Sequence, residues 1–123
     1  MEDSQLANVS GGRPYDLEER TFEFAKRVRK FVKRLPRTVG NLEDVKQLVR
    51  SSGSIGANYI EANEALSKKD FAMRTKIARK EAKETFFWLR LIQEGNPALS
   101  FDSTKLIAEA NELRKILSSI LNK

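Results

Sequence analysis

The chain has 123 residues, 40% apolar and 33% charged, with a formal net charge of +6. That length fits one domain with a real core, and the absence of cysteine and histidine excludes disulfides, thiol chemistry, the commonest general base and the commonest transition-metal ligand. No apolar run approaches the ~20 residues of a membrane span, and no basic stretch followed by an apolar one reads as a signal peptide, so a cytoplasmic protein is expected.

Residues 1–14 are polar, contain Gly11-Gly12 and lack periodicity, which predicts a disordered tail. Residues 15–123 are predicted to form the folded domain. A first helix is predicted from about Leu17 to Leu35, capped by Asp16 with Glu19 in a capping-box pattern and stopped by Pro36. Its buried stripe is Leu17, Phe24, Val28, Phe31, Val32 and Leu35.

A second helix is predicted from about Leu42 to Ala65, capped by Asn41. Its apolar face runs through Leu42, Val45, Leu48, Val49, Ser52, Ile55, Gly56, Tyr59 and Ile60. The stretch Arg50–Ala65 on this helix is unusually rich in small residues. Glycine inside a helix costs on the order of 1 kcal/mol relative to alanine, so Gly53 and Gly56 predict a neighbour packed too close for a larger side chain.

A third helix is predicted from about Lys68 to Glu94, capped by Ser67 with Asp70. Phe71, Ala78, Ala82, Thr85, Leu89 and Ile92 form its core stripe, widened by Ile77 and Trp88. Gly95-Asn96-Pro97 is a stop signal. A fourth helix, about Ser103 to Asn122, carries two apolar rows drawn from Leu106, Ile107, Ala110, Leu113, Ile116, Leu117, Ile120 and Leu121. Four amphipathic helices with short connections predict an all-α, antiparallel up-down-up-down four-helix bundle.

The charge is unevenly placed. The segments 18–37 and 68–90 hold 16 of the 23 basic residues, eight each against three acidic ones. On the first helix the candidate nucleic-acid contacts are Lys26, Arg27, Lys30, Lys33 and Arg34. On the third they are Lys69, Lys76, Lys83 and Arg90, which recur every seven residues and so share one face. Their spacing of about 10 Å suits a phosphate backbone; an ordinary solvated face is the alternative. In such a bundle the first and third helices are diagonal, so a monomer would carry two separate basic patches.

Phe22 and Phe87 lie off the core stripes. They are candidates for an oligomer interface or for base stacking, or are incidentally exposed. Glu61/Glu64 and Glu81/Glu84 form Glu-x-x-Glu pairs of the kind that di-iron bundles use, but those usually add Glu-x-x-His. Without histidine, no metal, cofactor or catalytic residue is expected. Arg74 and Glu81 are instead expected to join Asn58 or Glu61 in a polar network between the second and third helices.

Two long stretches carry a resemblance: Gln47-Leu48-Val49-Arg50-Ser51-Ser52-Gly53-Ser54-Ile55-Gly56-Ala57-Asn58-Tyr59-Ile60-Glu61-Ala62, and Lys80-Glu81-Ala82-Lys83-Glu84-Thr85 continued by Phe87-Trp88-Leu89-Arg90-Leu91-Ile92. From Leu17 to Lys123 the chain resembles the four-helix-bundle proteins encoded in ribosomal RNA intervening sequences. A related branch is the accessory protein of diversity-generating retroelements, which binds a reverse transcriptase and nucleic acid. The resemblance implies a non-enzymatic homo-oligomer, a pentamer, with RNA, DNA or a nucleic-acid enzyme such as a reverse transcriptase as partner. An acidic protein bound through the same basic faces is the alternative.

Overall fold

The computed structural model describes residues 14–123, which form four helices: α1 (Pro14–Val32), α2 (Val39–Asn63), α3 (Lys68–Gly95) and α4 (Ser100–Leu121). The expected tail therefore lies outside the described residues, except for Pro14, which opens α1. Proline is well placed there because a first-turn residue has no intrahelical N–H bond to lose. Asp16 thus falls inside the first turn and is not the residue before the helix.

The helix ends show where side-chain chemistry overrides a simple reading. α1 stops at Val32, three residues short of the expected end. The chain then tightens, with the Arg34 and Leu35 amides donating to the carbonyls of Phe31 and Val32. Pro36 disfavours helical backbone at Leu35, yet Leu35 stays buried. α2 is capped by Thr38, whose hydroxyl accepts from the Asn41 amide at 3.1 Å.

Asn41 is not the cap because its side chain has a better use. Its amide donates to the Pro36 carbonyl at 2.8 Å and to Asn96 Oδ1 at 2.9 Å, and accepts from Asn96 Nδ2 at 2.8 Å. Asn96 also donates to the Ile92 carbonyl at 2.8 Å. The two buried amides pin the α1–α2 connection to the α3–α4 connection. Ser67 caps α3 as expected, accepting from the Asp70 amide at 3.0 Å. α4 begins at Ser100, earlier than expected, after a 3-10 turn over Pro97–Leu99.

Four sets of contacts give the helix order. Asn63 donates to Glu18 at 2.7 Å between α2 and α1. Arg50 meets Glu84 at 2.7 Å and Arg74 meets Asn58 at 3.4 Å between α2 and α3. Gln93 donates to Ser103 at 2.9 Å and Arg79 to Ser118 at 3.4 Å between α3 and α4. Arg20 of α1 meets Glu109 of α4, and Arg34, just past the end of α1, meets Asp102 of α4. Where two pairs mark one seam, numbers rise on one helix as they fall on the other, so those neighbours run antiparallel. α1 and α3 share no close contact and lie on the diagonal.

The core follows the predicted stripes at Phe24, Val28, Leu48, Ile55, Ala78, Ala82, Leu89, Leu113 and Leu117, all at most 1% exposed. It departs at the edges. Leu42 and Ile60 are exposed because, at 100° per residue, both stand about 140° from Ile55 around the helix. Phe71 and the Ile107–Ile116–Ile120 row of α4 are half-buried. Thr21, Thr75 and Ser51 are buried instead, each hydroxyl donating to a carbonyl three or four residues earlier.

The glycines of the small-residue run lie within α2, but only Gly56 meets the expected close neighbour. A Cβ on Gly53 would make ordinary contact, 3.6 Å from the Arg29 guanidinium, because α1 packs nearest at Gly56. A Cβ built on Gly56 would stand 2.7 Å from Thr21 Oγ1 and 3.1 Å from Thr21 Cβ. On the opposite flank the buried hydroxyls of Thr85 and Ser51 meet at 2.8 Å. Small residues thus bring α2 close to both α1 and α3.

Candidate nucleic-acid interface

Two acids of α3 are turned away from its outer face, while Glu94 stays exposed on that face one turn beyond Arg90. Arg50 of α2 draws Glu81 to 3.1 Å and Glu84 to 2.7 Å, which turns both carboxylates toward α2. Glu81 is buried there. Lys69, Lys76, Lys83 and Arg90 remain exposed on the opposite side. Among the described residues none of these four has a carboxylate within ion-pair distance. They make a ladder about 30 Å long with a rung roughly every 10 Å. The Arg90 guanidinium lies over the half-buried Phe86 ring at 5.8 Å, so its stem is partly held in place.

One edge of this face is apolar. Phe87 is 54% exposed and Leu91 45%, and the Phe87 ring stands edge-on to Trp88 at 5.0 Å. Helical geometry puts Leu91 on the α2 side of Phe87, and Lys83 and Arg90 on the α4 side. Toward its C-terminal end the face therefore has an apolar edge beside a basic one.

The basic residues of α1 divide differently. Arg20 makes a two-pronged bond to Glu109, at 2.7 and 2.9 Å. That bond, more than the charge alone, raises its pKa above the ordinary guanidinium value. Arg34 is engaged by Asp102, and Lys26 sits 3.5 Å from Glu23. Arg27, Lys30 and Lys33 are exposed and, among the described residues, have no carboxylate partner. With α1 and α3 on the diagonal, the two basic sets are not brought together within one chain. Phe22 and Phe87 are likewise exposed on different helices, at 61% and 54%.

Asn58 occupies the expected network through Arg74. Glu61 is exposed, and among the described residues it makes no ion pair. Sequence reasoning missed Arg50 as the organiser of the α3 carboxylates. Its signal was a lone arginine entering the small-residue run, with the acids it reaches lying 31 and 34 residues further along the chain. No three carboxylates among the described residues converge as a metal site would require. No described helix is long and apolar enough to cross a membrane.

Together the fold and this face define a four-helix bundle whose cations gather on two diagonal helices, α1 with its trailing turn and α3. The chain belongs to the 23S rRNA-intervening sequence protein family, whose model matches residues 14–119. It is similar to the crystal structure of a protein of unknown function from the S23 ribosomal protein family, from Bacteroides thetaiotaomicron VPI-5482. The two are 32% identical with a TM-score of 0.78, covering 89% of this chain and 98% of that one. No curated protein matches the chain significantly.

Proposed function

We propose that this chain is a non-enzymatic cytoplasmic scaffold that assembles into a homo-oligomer, a pentamer, and holds nucleic acid through its phosphates. The observation that carries the reading is the unpaired ladder Lys69, Lys76, Lys83 and Arg90 beside carboxylates that Arg50 has drawn away. Four exposed cations in register give affinity without base discrimination, because phosphate contacts carry no sequence information. Membership in a family named for rRNA intervening sequences supports nucleic acid as the partner.

Assembly is supported by the apolar edge of the same helix. Phe87 and Leu91 are large, exposed and adjacent, which suits the centre of a subunit contact. A neighbour seated on that edge would leave Lys83 and Arg90 flanking the seam. Assembly would also bring α1 cations of one copy near α3 of another, which the diagonal arrangement forbids within one chain. The test is binding of a short RNA by wild type and by the Lys69→Glu/Lys76→Glu/Lys83→Glu variant. Loss of binding with helicity retained is expected; unchanged affinity removes α3 as the contact.

A further inference from the structure

We propose that the groove between α1 and α2 binds an acidic amphipathic helix of a partner protein. The groove has a volume of about 600 Å³. Its floor is Ala25, Gly53, Gly56 and Ala57, and its walls are Phe22 and Ile60. Phe22 and Ile60 are open to solvent, at 61% and 45% exposure. The small floor residues leave room for apolar side chains of a partner helix beside Phe22 and Ile60 at one end, while Arg29, Lys30 and Lys33 line the other end. From Phe22 to Lys33 the groove runs about 16 Å, or three helical turns.

The charge at its rim selects the occupant. Arg29, Lys30 and Lys33 all line the groove and lack a carboxylate partner among the described residues. The Arg29 guanidinium lies over Gly53, 3.6 Å from where a Cβ would be. The acid at the other end, Glu18, is already bonded by Asn63 at 2.7 Å. An occupant must therefore offer aliphatic side chains to Phe22 and Ile60 and carboxylates to Arg29, Lys30 and Lys33.

Nucleic acid offers the charge without the aliphatic groups. A second copy offers, among its described residues, only the Phe87–Leu91 edge of α3, and Lys80, Lys83 and Arg90 beside that edge would repel Arg29, Lys30 and Lys33; the outer face of α4 alternates Glu112 with Lys105 and Lys115, and α2 itself forms the groove. An acidic amphipathic helix meets both demands. This inference does not rest on the reading of α3, and either can fail alone.

The probe is a labelled synthetic peptide of about 16 residues, with leucine at i, i+3, i+4 and i+7 and glutamate elsewhere, titrated with the full chain by fluorescence anisotropy. Saturable micromolar binding is expected, with a scrambled peptide of the same composition about tenfold weaker. Ala57→Glu, at an exposed floor position, and Lys30→Glu/Lys33→Glu are each expected to weaken binding about tenfold. Lys115→Glu, a charge reversal on α4, leaves it unchanged. Equal binding of the scrambled peptide, or indifference to Ala57→Glu, overturns the proposal. So does a fall in solution mass in Ala57→Glu, which gives the groove to a second copy, or a tenfold loss of RNA affinity there, which gives it to nucleic acid.

Discussion

The Thr21 hydroxyl oxygen stands 2.7 Å from the point where a side chain on Gly56 would begin. The contact joins the middle of α2 to the first half of α1. Thr21 is itself 1% exposed and donates to the Glu18 carbonyl at 2.9 Å, so it has little room to retreat. Gly56→Leu is expected to cost roughly 1–3 kcal/mol through overpacking. Thermal or denaturant unfolding measures this, and wild-type stability would show that the helices do not need a glycine there.

A second structural dependency is the amide pair of Asn41 and Asn96. Asn41→Ala removes partners from a buried amide on Asn96 and is expected to destabilise by about 1–3 kcal/mol. Because both side chains act as one unit, Asn96→Ala in the same background should add much less than it costs alone. A double-mutant cycle in denaturant measures the coupling; simple additivity would mean that the two amides act separately.

Alkaline stability carries a further signature. Burial pushes the Tyr59 phenol above its ordinary value of 10.0. The folded chain therefore holds this proton more tightly than the unfolded chain. The stability linked to it is fully present below the unfolded value and is lost as pH rises through the folded one. Tyr59→Phe removes that titration, so the stability difference between wild type and variant should move in favour of phenylalanine above about pH 10. Denaturant unfolding on both sides of that pH checks it; a constant difference would contradict it.

Assembly is tested at the apolar edge of α3. Phe87→Asp places a charge where a subunit contact would be dry, and is expected to lower the solution mass while leaving helicity intact. Phe87 is 54% exposed, so the single chain has little reason to unfold. Light scattering on both proteins decides, and an unchanged mass removes Phe87 from the interface.

The helices and most of their buried stripes could be read from the sequence because apolar spacing and helical period agree over long segments, as at Leu48, Ile55 and Tyr59. Boundaries were less legible. Asn41 looks like a cap, but its amide finds Asn96, 55 residues away, and no local pattern shows that. The candidate site was half legible. The seven-residue repeat from Lys69 to Arg90 reveals the ladder, whereas the turning aside of Glu81 and Glu84 depends on Arg50 reaching across a helix seam. Ile60 read as core, but at about 140° from Ile55 around α2 it faces outward and becomes a groove wall.

The central claim is that α3 meets phosphates. The most direct test is the affinity of a short single-stranded RNA for the full chain across a range of salt, with particle mass followed by light scattering. Each phosphate contact contributes about −0.7 to the slope of log affinity against log salt, so four rungs give about −3. The account predicts a particle of about 70 kDa, five copies of a 14.0 kDa chain, that takes up RNA at low salt. It also predicts that Lys69→Glu/Lys76→Glu/Lys83→Glu loses that uptake. A particle that ignores RNA at every salt, or a triple variant that binds like wild type, would contradict it.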